Sequence, residues 1–145
     1  MTNQEFYNFS VRNIINQGGP SIGETGDGII ACLYRDSVKN RKCVIGHVIS
    51  DSQYIPEMEQ KSFENTLFGN CKFNEDRIFL RSLQEIHDHC AKAYKCGWKI
   101  VSDEKFFLNW IPKMIAFAKN NHLDYSVFQE FIGDKSIGQY FASSI

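Results

Sequence analysis

At 145 residues, 43% of them hydrophobic and 14% aromatic, the chain is long enough for one well-filled core and too apolar to remain disordered. Its formal net charge of −1 shows no electrostatic footprint for duplex nucleic acid, which demands clustered positive excess, and leaves room only for a local basic patch around Arg35, Lys39, Arg41 and Lys42. No apolar run approaches the ~20 residues of a membrane span, and the first residues lack a signal peptide's basic and apolar regions.

Thr2 or Asn3 caps a first helix whose Tyr7, Val11 and Ile14 share one face, and Gly18-Gly19-Pro20 ends it. Five glycines within residues 18–28 mark a loop. Residues 29–35 read as a strand, 36–41 as a polar turn, and 42–49 as a second strand, or a strand running into a short helix. The two form a hairpin with a long connection. Residues 50–75 are irregular, with a turn of helix near 63–68. A long helix over 76–95 carries the stripe Phe79, Leu83, Ile86, Cys90 and Tyr94, and Gly97 stops it. Ser102 caps the next helix, which buries Phe106, Trp110, Met114 and Phe117. Pro112 should kink or restart that helix, and Asn120-Asn121 closes it. Asp124 caps a short helix over 125–132, ended by Gly133. The expected fold is α+β and helix-rich, a small β-hairpin or sheet packed against three to four helices. It forms a single domain over residues 1–145 with a weakly specified tail from about 134.

Residues 31–59 gather the most chemistry. The glycine loop approximates a phosphate loop, but Glu24 stands where the lysine must be and would repel the phosphate. A flexible surface loop or a lid is the plainer reading. Thiol catalysis would use Cys32 or Cys43 with His47, His87 or His89 as base. Asp88 adjoins His87, but neighbours on a helix point about 100° apart, so Asp88 is not expected to orient His87. Buried cysteine is common and inert, so both cysteines read first as packing. A zinc site from Cys32, Cys43, His47 and His87 lacks the close ligand pairs of structural zinc. No catalytic residue, metal or cofactor is therefore assigned. The five cysteines (Cys32, Cys43, Cys71, Cys90, Cys96) have no paired spacing and suit reduced thiols in a cytosol.

The polar groups suit ligand recognition better. Arg35 beside Tyr34 fits an anion and a planar ring, as guanidinium forks hold phosphate and tyrosine stacks on bases. The bland alternative is an exposed arginine at a strand end. His87 and Gln84 border the apolar stripe of the long helix, with Asp88 further round. A half-buried histidine there either reads a ligand or is satisfied by a backbone carbonyl. Asp51, Glu57 and Glu59 form an acidic run able to pair with Arg35 or Lys42.

Four separated pieces resemble a family of small, uncharacterised proteins encoded by tailed phages and prophages. They are Cys32-Leu33-Tyr34-Arg35, Lys42-Cys43-Val44-Ile45-Gly46, the Ile-x-Asp and Tyr-x-Pro-Glu-Met-Glu run within 49–59, and Leu83-Gln84 followed by His87-Asp88. With flanking helices the resemblance spans about residues 8–122. The family often has Cys where His47 stands and Gly where Gln60 stands, which weakens metal or thiol arguments at those positions. The resemblance implies a phage accessory protein made in the host cytoplasm and no particular reaction.

The functional expectation is an anti-defence protein that sequesters a small nucleotide-type signal. Its ligand-binding residues would be Tyr34, Arg35, Lys42, His47, Tyr54, Gln84, His87 and Asp88. Arg35 and Lys42 would meet phosphate, Tyr34 or Tyr54 would stack, and Gln84, His87 and Asp88 would read hydroxyls. The partners are then a small nucleotide-derived ligand and further copies of the chain in a homo-oligomer, with no membrane. The alternatives are a protein-binding inhibitor of a host defence protein, or a small hydrolase using Cys43 or His87.

Overall fold

The computed structural model describes residues 1–25, 28–60, 77–94 and 97–134. The expected helical turn near 63–68 and the tail from 135 lie outside them. The fold is α+β and helix-rich, with small antiparallel ribbons set against a helical core. None of the described helices is long and apolar enough to cross a membrane.

Helix α1 (Asn3–Gln17) starts where the Thr2 hydroxyl accepts the Glu5 N–H and stops at Gly18, whose φ of 90° suits glycine. Its inner face of Phe6, Tyr7, Val11, Ile14 and Ile15 enters the core, and the Tyr7 hydroxyl donates to the Met114 carbonyl at 2.7 Å. Helix α2 (Arg77–Ala91) and helix α3 (Asp103–Asn120) pack on each other. Phe106 stacks on Trp110 at 5.6 Å, and Phe128 meets Trp110 edge-on at 6.1 Å. A 3-10 helix (Ser126–Phe131) stands where the short α-helix was expected. Its approach to α1 is fixed by the Gln4 amide, which exchanges two hydrogen bonds with the Asp124 backbone, and by a forked Arg12–Glu130 pair.

Three expectations change. The single hairpin is two ribbons. Strand β1 (Ile22–Glu24), drawn from the glycine loop, pairs with β2 (Ile30–Cys32), and β3 (Arg35–Asp36) pairs with β4 (Arg41–Lys42). The first ladder stops because the Glu59 carboxylate takes the N–H groups of Tyr34 and Arg35, at 2.7 and 3.0 Å. Beyond Lys42 the chain coils, in line with the expected alternative of a strand running into a short helical segment, as the His47 and Ile49 amides donate back to Cys43 and Ile45 carbonyls. Second, α2 ends at Ala91. Lys92 turns into β5 (Lys92–Tyr94), which pairs with β6 (Trp98–Ile100) through Gly97 at φ 123°. A glycine after a helical pattern serves a C-cap or a hairpin equally, and here the β-favouring Trp98, Ile100 and Val101 select the hairpin. Tyr94 is consequently 67% exposed and does not join the apolar stripe. Third, α3 runs through Pro112 without a restart. The amide hydrogen bond that proline forfeits would go to Leu108, on the exposed side where water serves the carbonyl.

The glycine loop is no phosphate cradle. A side chain at Gly19 would collide with the Asp103 carboxylate and the Arg41 guanidinium, which form a forked ion pair at 2.8 and 3.0 Å across its backbone. This pair fastens β4 to the start of α3.

Candidate functional site

The inner flank of α2 carries a closed polar relay. His87 is fully buried, not half-buried as its helical angle suggested. Its Nε2 accepts the Ser21 N–H at 3.1 Å, so the ring proton sits on Nδ1, which donates to Asp88 Oδ1 at 2.9 Å. Asp88 therefore does orient His87, against expectation. The 100° between successive helical side chains separates their first bonds, yet the outer atoms of adjacent polar groups still meet. Gln84 donates to Asp88 at 2.6 Å and accepts the Ile45 N–H at 2.9 Å, which docks the 43–49 coil on α2.

This relay is chemically quiet. Both ring nitrogens of His87 are engaged, so neither is free to take a proton from a cysteine. Burial, reinforced by Asp88, pushes the Cys32 and Cys43 thiols well above their ordinary range. Cys32, His87 and Asp88 do bring ligand atoms within 4.8 Å of one another. A metal-bound imidazole, however, donates from its outer nitrogen, whereas this one accepts there from Ser21. The trio has the wrong polarity for a metal ligand set. His87→Leu is expected to cost about 2 kcal/mol by stranding the Ser21 N–H. His87→Gln, which keeps an acceptor, should lose distinctly less in urea denaturation. Equal losses would contradict the assignment.

The hairpin groups form two further networks. Arg35 donates to the Ile49 carbonyl, pairs with Asp51 at 2.7 Å and lies 4.4 Å over the Tyr54 ring. The Tyr54 hydroxyl donates to Glu59, which already holds the Tyr34 and Arg35 amides. Lys42 also approaches Asp51, at 3.9 Å. Gln17, which the sequence did not single out, pairs through both amide atoms with the Lys42 backbone, and its oxygen also accepts from His47 Nε2 at 2.8 Å. The structure thus brings the hairpin and the Gln84–His87–Asp88 flank together, with these groups partnered inside the chain except for Arg35 Nε, which is buried without a hydrogen-bond partner among the described residues.

Burial, then Lys42 and His87, lower the His47 pKa to about 4. A depressed histidine stabilises the fold fully above its unfolded value near 6.5 and loses that contribution as pH falls towards 4. His47→Asn is expected to flatten the stability profile between these values. Parallel profiles for both proteins would count against it.

A groove of about 740 Å³ opens on the far side of Asp88, between the end of α2, the β5–β6 hairpin and α3. Period-two alternation and the Tyr94–Trp98 register put Lys92, Tyr94, Trp98 and Ile100 on one ribbon face. Tyr94 and Trp98 meet edge-on at 5.3 Å, and the Lys92 ammonium lies 4.9 Å over the indole. Across from them α3 contributes Lys105, Asn109 and Lys113, four residues apart and so on one stripe. Of the eight ligand-binding residues expected from sequence, only Asp88 lines this groove, and His89, named there as a candidate base, lines it too. The Lys105-x3-Asn109-x3-Lys113 spacing was visible in the sequence, but the opposing aromatic wall needs the hairpin that replaces the end of the expected helix.

By fold and site the chain is a small α+β domain with a lysine- and aromatic-lined groove. No family model, curated protein or solved structure matches it.

Proposed function

We propose that the protein binds a small nucleotide-type ligand in this groove and sequesters it without turnover, as a phage-encoded accessory protein acting in the host cytoplasm. The observation that carries the binding is the convergence of Lys92, Lys105 and Lys113 with the Tyr94–Trp98 pair in a cavity of ligand size. Ammonium groups meet phosphate, and an exposed aromatic pair stacks on a planar ring. The engaged nitrogens of His87 and the raised cysteine thiols favour holding a ligand over hydrolysing it. The four sequence pieces that resemble tailed-phage proteins support the phage accessory reading, and the anti-defence role follows from it by analogy with small phage proteins. A homo-oligomer would deepen a groove that one small domain leaves open.

A second reading, a protein-binding inhibitor of a host defence protein, is favoured by Trp98, Ile100 and Leu108, which are 51%, 43% and 51% exposed beside the groove. A thermal-shift screen with nucleoside mono- and diphosphates separates the two. Ligand at 100 times its Kd adds about 2.7 kcal/mol of stability, several degrees in a domain this size. No shift with any of them would count for the protein partner.

A further inference from the structure

We infer that the ligand of this groove carries two phosphate groups set apart from each other, not one terminal phosphate chain. The inference rests on the groove being the ligand site. Lys105 and Lys113 are eight residues apart on one stripe of α3, so their backbones are about 12 Å apart at the helical rise. Helical side chains lean towards the helix N-terminus, so both ammonium groups shift in the same direction and keep that separation. Meeting on one compact anion would require Lys105 to lean against this preference. Neither lysine forms an ion pair among the described residues, and each is exposed.

Between them stands Asn109. Its amide nitrogen donates to the Lys105 carbonyl at 3.1 Å, which holds the side chain along the helix and commits one of its two amide hydrogens to the backbone. The stripe therefore reads cation, neutral polar group, cation. The opposite wall has one aromatic pair, attended by Lys92. This geometry matches a ring seated on Tyr94 and Trp98 with an anion towards each end of the α3 stripe.

Calorimetric titration of the full chain with adenosine 3′,5′-bisphosphate, ADP and AMP tests the inference. The first two carry two phosphates on the same nucleoside and differ in where they sit, and stacking tolerates any base. The bisphosphate is expected to bind at least tenfold more tightly than ADP or AMP. Lys105→Ala and Lys113→Ala should each reduce it to the AMP level while leaving the melting temperature of the free protein unchanged. Equal affinity for ADP and the bisphosphate, or indifference to either substitution, would overturn the two-phosphate inference and leave the groove reading standing. No binding of any of the three would overturn the groove reading, and this inference with it.

Discussion

Gly46→Ala is expected to destabilise the fold by about 3 kcal/mol or more, an effect of the size seen when a buried backbone contact is overpacked. A Cβ on Gly46 would lie 1.9 Å from the Tyr34 carbonyl oxygen and 2.8 Å from its carbon. That carbonyl also accepts the Cys43 N–H, so the 43–49 coil and the bend at Tyr34 between β2 and β3 cannot part without losing a hydrogen bond. The Gly46 backbone does not fall in the left-handed region, so the cost is one of space alone. Gly133→Ala is the matched control, because among the described residues nothing lies within 4 Å of a Cβ there. Urea denaturation should show a large loss for the first and almost none for the second. Similar midpoints would mean that the hairpin does not close on Tyr34 as described.

The largest functional effect is expected from Lys105→Glu combined with Lys113→Glu. Each reversal replaces attraction for phosphate with repulsion, worth about 1 kcal/mol either way at contact distance in water. Screening trims this at physiological salt, and the pair should weaken binding of adenosine 3′,5′-bisphosphate roughly 100-fold. Trp98 offers a direct readout. Of the two tryptophans, Trp110 is fully buried and Trp98 half-exposed, so ligand-dependent quenching reports on the groove. Quenching that persists at the same ligand concentration in the double variant would contradict the lysine assignment.

The helical part of the fold was legible because it rests on local signals. Thr2 and Ser102 do cap α1 and α3, and the Phe106–Trp110–Met114 spacing does face the core. The boundaries that failed depend on distant partners. Nothing near Tyr34 in sequence announces that Glu59 will take its amide and end the ladder, and Gly97 by itself does not distinguish a helix cap from a hairpin turn, a choice left to the β-favouring residues that follow it. The site followed the same division. Tyr34, Arg35, Tyr54, Gln84, His87 and Asp88 were recognisable as an unusual concentration of polar chemistry, and the structure does assemble them. The pairing of Asp51 with Arg35 and Lys42 was legible in the acidic run, but the rest of their mutual satisfaction was not, because it depends on Glu59 taking backbone amides and Ser21 reaching His87 across loops. Conversely, Lys92, Trp98 and Lys105 look like ordinary surface residues until the β5–β6 hairpin sets two of them opposite the third.

A ligand held in the groove and not on the hairpin can be tested directly. Small molecules released by heating can be identified by mass spectrometry from the wild-type protein, Lys42→Ala, and the Lys105→Glu, Lys113→Glu variant, all purified from the same bacterial host. A phosphorylated, ring-containing compound is expected from the wild type and from Lys42→Ala, and none from the double variant. Retention by the double variant with loss in Lys42→Ala, or no such compound from the wild type, would contradict it.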